Sequence, residues 1–291
     1  MKTKPHCLGC LAGLARRMAE AGADGDPILY GQALSAAGEI LGASGPPGDT
    51  VPTRIATAMF RAVSKTTGKP DPFDAVKRKE YESGRAAAER MGKKAAPGLK
   101  GLIGLAAMGN QLDFFRDLEE VERMWAESPP TPSLDDSDTL AKLLDGAKTV
   151  TMLADNAGEA PFDLPLLREL EKRGLKTVYA VKGAPSQNDL TREDAERFGI
   201  EVPRLADTGT DWVGSDLAYT SEAFRDALKS ADVIVAKGMA NLETLSEYPE
   251  ELAGKKVFFI LMVKCPPVAE FLGLPLDRPA IIDAARIFGC K

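Results

Sequence analysis

Apolar positions along the first part of the chain recur at helical spacing, with few β-branched runs to oppose it. The pattern predicts helices over 8–21, 27–41, 53–67, 72–91 and 112–125, punctuated by Gly and Pro. The stretch ESPPTPSLDDS at 127–137 combines Pro, Ser and acid and reads as a linker. Beyond it the period changes. KTVTMLA precedes a helical pattern at 162–173, KTVYAVK one at 191–198, DVIVAKG one near 241–246, and KVFFILMV one at 268–272. Short β-rich runs alternating with amphipathic segments are what parallel strands joined by crossover helices require. The expected fold class is therefore α/β. An N-terminal helical domain, 1–137, is expected to precede a Rossmann-like domain, 138–291, with a mostly parallel sheet, flanking helices and most of the active site.

Composition narrows the function. A chain of 291 residues can bury a substantial core. Its net charge of -6 speaks against nucleic acid or an anionic membrane as the main partner, since both need clustered Lys and Arg. The longest apolar runs, 101–108 and 257–263, fall well short of the roughly 20 residues of a membrane span. MKTKPHCLGC lacks the apolar core of a signal peptide, so a cytoplasmic location is expected. The oligomeric state is not legible. His6 is the only histidine, which leaves little room for a Ser-His-Asp triad or a His-rich zinc site. Chemistry must rest on carboxylates, amides, lysines, cysteines or a metal.

In an open parallel sheet the ligand crevice lies beyond the carboxyl ends of the strands. The first expected strand runs into Asp155-Asn156, with Gly158 and Glu159 following; the second runs into Lys182-Gly183 and then Asn188-Asp189. The third leads to Lys237-Gly238 and Asn241, the fourth to Lys264-Cys265. Acids and amides on two strand ends, with lysines on others, suit a cation bridged to an anionic substrate, and phosphate is the natural anion. Taken singly, each also reads as ordinary surface chemistry: Asp-Asn as a turn or helix cap, Asp189 as a cap, the lysines as solvated. Their shared edge gives the set its weight.

The chain resembles the damage-control phosphatases, also described as domain of unknown function 89 and as protein-glutamate methyltransferase-like. The likeness runs in order through an amino-terminal Cys-x-x-Cys, GNQLDF at 109–114, LADNAGEAPFD at 153–163, VKGAPSQNDLTREDA at 181–195, AKGMANLETL at 236–245 and LMVKCPPVAEFLG at 261–273. That resemblance implies a divalent metal, Mg, Mn, Co or Ni, held by Asp155, Asn156 and Asp189. It implies a substrate pocket of Asn110, Asp113, Glu159, Asn241, Lys237 and Lys264, and hydrolysis of phosphate esters of small metabolites. The chain departs from the family in two places. Leu261 and Met262 stand where the eukaryotic branch carries Arg-Thr, so fructose-phosphate specificity does not follow. GTDWVG replaces a Gly-x-Asp-x-Pro-Gly loop, and Trp212 and Val213 are expected to reshape the pocket rim.

The expected reaction is in-line attack of water on phosphorus, with Asp189 or Glu159 taking the proton. A covalent route through Asp155 lacks the Asp-x-Asp of aspartyl-phosphate enzymes. Cys7 and Cys10, with Cys265, read as packed thiols or an accessory metal site ahead of a redox pair. Two rival functions remain. One is a non-catalytic metal-nucleotide module; the other, a cofactor-dependent carboxyl methyltransferase, lacks the expected glycine-rich turn after the first strand.

Overall fold

The computed structural model describes residues 1–110 and 131–289. Five helices come first: α1 Pro5–Ala23, α2 Pro27–Gly42, α3 Pro52–Thr67, α4 Asp74–Gly92 and α5 Gly98–Gly109. The first three open on a proline, whose fixed φ and missing N–H suit a helix start. Asp26 caps α2 by accepting from the N–H groups of Ile28 at 2.8 Å and Leu29 at 3.1 Å. Because α1 begins at Pro5, Cys7 and Cys10 lie in its opening turns. The helix expected over 112–125 and the start of the expected linker, 127–130, lie outside the described residues.

Seven strands follow: β1 Leu134–Asp135, β2 Thr149–Leu153, β3 Lys176–Val181, β4 Leu205–Asp207, β5 Val233–Lys237, β6 Lys256–Val263 and β7 Arg278–Asp283. Their order is β1-β7-β6-β5-β2-β3-β4. All neighbours pair parallel except β6 and β7, which run antiparallel from Phe258 opposite Asp283 to Val263 opposite Arg278. The four runs singled out in the sequence became β2, β3, β5 and β6. β1 and β4 are too short to show a period. In β7, Pro279 looks like a strand breaker, yet its carbonyl accepts the Ser133 N–H at 2.8 Å beside β1.

The strands bury both faces. Val150, Met152, Val235, Phe258 and Ile260 join one core with Ile103 of α5, Tyr81 of α4 and the helix Ala160–Lys172. Leu153, Ile234, Ala236, Phe259 and Leu261 join the other, with the helices Glu222–Ser230 and Gly238–Leu245. Alternate residues along a strand thus serve opposite cores. Helices α1 to α3 form a third cluster that reaches Val213 and Ala240. Gly84 of α4 lies against the Gly158 carbonyl so closely that any Cβ there would overlap it. This contact seats the turn that follows β2. Among the described residues no helix is long and apolar enough to cross a membrane.

A candidate active site at the carboxyl edge of the sheet

Beyond β2 the chain passes through Asp155 and Asn156 into the short turn Ala157–Glu159 and then the helix Ala160–Lys172. Main-chain hydrogen bonds tie this turn to the loop after β3. Leu190 N–H donates to the Asp155 carbonyl and Ala157 N–H to the Asn188 carbonyl, each at 2.9 Å. Asn156 and Asp189 form an isolated antiparallel bridge. Residues distant in sequence are thereby brought side by side. Asp155, Asn156 and Asp189 line one cavity of about 260 Å³, together with Asn110 and Lys264. Helices α1 and α3 contribute Cys7, Cys10, Leu14 and Thr53 to its lining, and Cys265 lines it after β6.

Beneath that surface lies a buried charge network. Asn110, at the end of α5, donates to Asp155 Oδ2 at 3.1 Å and to Glu159 Oε1 at 2.7 Å, while its own oxygen accepts the Met262 N–H at 2.7 Å. Asn156 also donates to Glu159 Oε1, at 3.2 Å, so its amide oxygen is the atom left to act as a ligand. The Lys237 ammonium bridges Glu159 at 2.9 Å and Asp163 at 2.7 Å, and Tyr179 donates to Asp163 at 3.0 Å. Lys237, Glu159 and Asp163 are all fully buried. Desolvation works against the Lys237 charge, but Asp163 and Glu159 outweigh it and raise its pKa. Burial pushes the Asp163 carboxyl up to about 6 despite that ammonium.

Asp155 is held well above the usual carboxylate range by burial, then by Glu159 and Asp189, against the pull of Lys264 and Lys237. Burial also raises Asp189, although Lys182 lies 3.4 Å away. Lys182 is itself anchored by the carbonyls of Trp212, at 3.0 Å, and Gly214. Carboxylates crowded in this way repel one another, and a cation between them would relieve the repulsion.

The remaining expected site residues divide clearly. Asn241 donates to the carbonyls of Ala154 at 3.2 Å and Lys237 at 2.7 Å, and accepts from Ser215 at 2.7 Å. It thus clamps the ends of β2 and β5, and like Lys237 and Glu159 it supports the cavity wall from behind. Asp113 lies outside the described residues. Val213 lines the cavity, while the Trp212 ring stacks on Tyr219 at 3.9 Å under the Arg61 guanidinium. Leu261 and Met262 are buried in the sheet.

Sequence reasoning passed over Asp163 and Tyr179. A signal existed for the first: Asp163 follows Glu159 by four residues, which puts both on one helical face toward Lys237. Gly238 is required by the geometry. Its φ is 79°, and a Cβ there would overlap the Asp155 carboxylate. Gly238→Ala is expected to destabilise the protein by about 2–4 kcal/mol, from a left-handed backbone plus overpacking. Denaturant unfolding of the metal-free protein measures it; an unchanged midpoint would refute the close approach.

Away from this edge, Asp71, Asp74 and Asp194 bring carboxylate oxygens within 4.8 Å of one another and could hold a metal. The chain's own cations already meet them: Lys77 lies against Asp71 at 2.5 Å and against Asp194, while Arg78 and Arg197 pair with Asp74.

The fold and the site together define an α/β protein whose active-site candidate gathers acids, amides and ammonium groups at the carboxyl ends of parallel strands. The chain belongs to the damage-control phosphatase family: the model for the Damage-control phosphatase ARMT1-like domain matches residues 3–278. It is similar to Damage-control phosphatase PH1575 of Pyrococcus horikoshii, with 34% identity over 94% of this chain and 96% of that one. A damage-control phosphatase of Archaeoglobus fulgidus is 31% identical over the same shares, 94% and 96%. The crystal structure of the Pyrococcus horikoshii DUF89 family protein superposes with a TM-score of 0.85 at 32% identity, over 97% of this chain and 99% of that one.

Proposed function

We propose that this chain is a divalent-metal-dependent phosphatase that hydrolyses phosphate monoesters of small metabolites, such as sugar phosphates or damaged phosphometabolites. One observation carries the reading: Asp155, Asn156 and Asp189 share the wall of one cavity with Lys264, at the edge where parallel sheets bind ligands. The donors are oxygens, which favour hard cations such as Mg²⁺ or Mn²⁺, with Co²⁺ and Ni²⁺ also accommodated. Burial first, and then Glu159 and Asp189, hold the Asp155 carboxyl above its usual range, and a cation beside it would offset both. Asp155 and Asp189 would hold the ion through carboxylate oxygens and Asn156 through its amide oxygen. When bound, such an ion supplies Lewis-acid neutralisation of phosphoryl oxygens and lowers the pKa of a water.

The chain's own groups do the rest. Lys264 offsets charge that grows on the phosphoryl oxygens in the transition state. Asp189 accepts the proton of the attacking water, since it lines the cavity whereas Glu159 is occupied by Asn110, Asn156 and Lys237. The Lys237 network fixes Asn110 and Asn156, and so holds Asp155 in place. In this reading the helical domain, 1–137, roofs a site carried mostly by 138–291. Cys7, Cys10 and Cys265 are free thiols, which suits a reducing cytoplasm. The net charge of -6 suits a small-molecule partner better than nucleic acid.

The test is turnover of 4-nitrophenyl phosphate by chelator-treated protein, alone and with Mg²⁺, Mn²⁺, Co²⁺ or Ni²⁺. Activity is expected only with added ion. Tight binding of a metal-nucleotide without any turnover would favour the non-catalytic module instead.

A further inference from the structure

Lys182 directly follows β3, yet it is buried rather than solvated. Its main chain is tied to the segment after Asp189: the Lys182 N–H donates to the Leu190 carbonyl at 2.9 Å, and the Arg192 N–H donates to the Lys182 carbonyl at 3.0 Å. An ammonium group carries three donors. The carbonyls of Trp212, at 3.0 Å, and of Gly214 accept from it. Its remaining partner is Asp189, whose Oδ2 lies 3.4 Å from Nζ. The carbonyls are neutral, so Asp189 supplies the countercharge.

The two carbonyls belong to a loop that is fastened on three sides. On α3, Arg61 pairs with Asp211 at 2.7 Å, Arg54 pairs with Asp216 at 2.7 Å, and Thr57 Oγ1 accepts the Val213 N–H at 3.0 Å. On the helix Gly238–Leu245, Thr244 Oγ1 accepts the Ser215 N–H at 2.9 Å. Gly214, with a φ of 74°, approaches the Ala240 carbonyl so closely that a Cβ would overlap it. Beyond β3, the Gly183 N–H donates to the Thr210 carbonyl at 3.1 Å. A loop held in this way fixes the Lys182 ammonium. Asp189 can then turn its Oδ2 elsewhere only by leaving a buried charge unpaired, which is costly.

We propose that Lys182 is a positioning residue that holds Asp189 as a one-oxygen ligand and so makes the site select small octahedral cations over calcium. The inference rests on the metal site of the phosphatase reading above. Asp189 lines the cavity, and with Oδ2 committed to Lys182, Oδ1 is the oxygen left for an ion. Its lone pairs can serve both the ion and a water beside it. The other two ligands are restricted in the same sense. Asn110 engages Asp155 Oδ2 at 3.1 Å, and Asn156 has a single amide oxygen to offer. Calcium takes more oxygens, often both from one carboxylate, whereas Mg²⁺ demands near-octahedral geometry and keeps several waters. Three ligands that each give one oxygen fit the second pattern.

Mn²⁺ and Ca²⁺ carry the same charge, so the repulsion that Lys182 exerts on an incoming ion cancels in the ratio of their affinities. The restraint on Asp189 does not cancel. Calorimetric titration of chelator-treated protein gives both affinities. Lys182→Met is expected to shift the ratio toward Ca²⁺ by about tenfold or more, in the range for losing a partner that orients a metal ligand. A merely loosened fold would weaken both ions together and leave the ratio alone. A ratio within about twofold of the parent's, or one that moves toward Mn²⁺, would overturn the proposal. The parent supplies a measurement that needs no variant: about a hundredfold excess of Ca²⁺ should leave most of the Mn²⁺ bound, as read from the EPR signal of free Mn²⁺. Displacement of the Mn²⁺ would overturn it as well. Failure of the underlying reading looks different, since the parent would then bind neither ion.

Discussion

Asp155→Asn is expected to cut metal-dependent turnover by about a thousandfold or more while leaving the metal-free protein at least as stable as the parent. Three decades of rate correspond to about 4 kcal/mol of transition-state stabilisation, within what a metal contact supplies. The stability half of the prediction has a separate origin. In the metal-free protein a buried carboxylate faces Glu159 and Asp189, and its pKa is raised in consequence. A group whose folded pKa lies above its unfolded value stabilises fully below the unfolded pKa, and that contribution is lost as pH rises through the folded pKa. Asparagine cannot ionise, and its oxygen can still accept from Asn110. The metal-free variant should thus gain on the parent as pH rises from the acid range to neutrality. Added Mn²⁺ should raise the melting temperature of the parent and leave the variant unmoved. A variant that keeps the Mn²⁺ response, or melts below the metal-free parent at neutral pH, would sink the assignment.

Lys237→Met should cause the larger loss of stability. The ammonium is the shared partner of two carboxylates that are, like it, fully buried. Removing one partner of a buried ion pair costs about 3–5 kcal/mol, because the remaining charge has neither water nor a counterion. At about 2–4 °C per kcal/mol for a chain of this size class, the melting temperature should fall by roughly 10 °C. The deficit should shrink at lower pH as Asp163 takes up a proton, and combining Lys237→Met with Asp163→Asn should recover part of it. Metal affinity should fall as well, since Glu159 orients Asn110 and Asn156. A variant within about 1 kcal/mol of the parent would mean that water replaces the lysine, contrary to a fully buried network.

Much of this architecture is local in origin, and so was legible in the chain. β2, β3, β5 and β6 announce themselves as apolar runs, because a strand covered on both faces must be apolar at nearly every position. The polar residues just beyond them stand out by contrast, and parallel topology puts them on one edge. The motifs around Asp155, Asn156 and Asp189 carried the family resemblance for the same reason.

Other features depend on pairs of residues far apart in sequence. Nothing in KTVTMLA or NDL specifies that Asn156 will bridge Asp189; the crossover helix and β3 decide that. By sequence Lys237 is a strand-end lysine expected to face a phosphoryl group, with a solvated lysine as the alternative; the tertiary structure instead encloses it between Glu159 and Asp163. Sequence by itself determined which residues could carry chemistry and which edge they share, since those follow from the polarity and period of short segments. Tertiary structure alone decided which of them are buried, paired or left facing the cavity, because desolvation and Coulomb interaction depend on distances that no local pattern encodes.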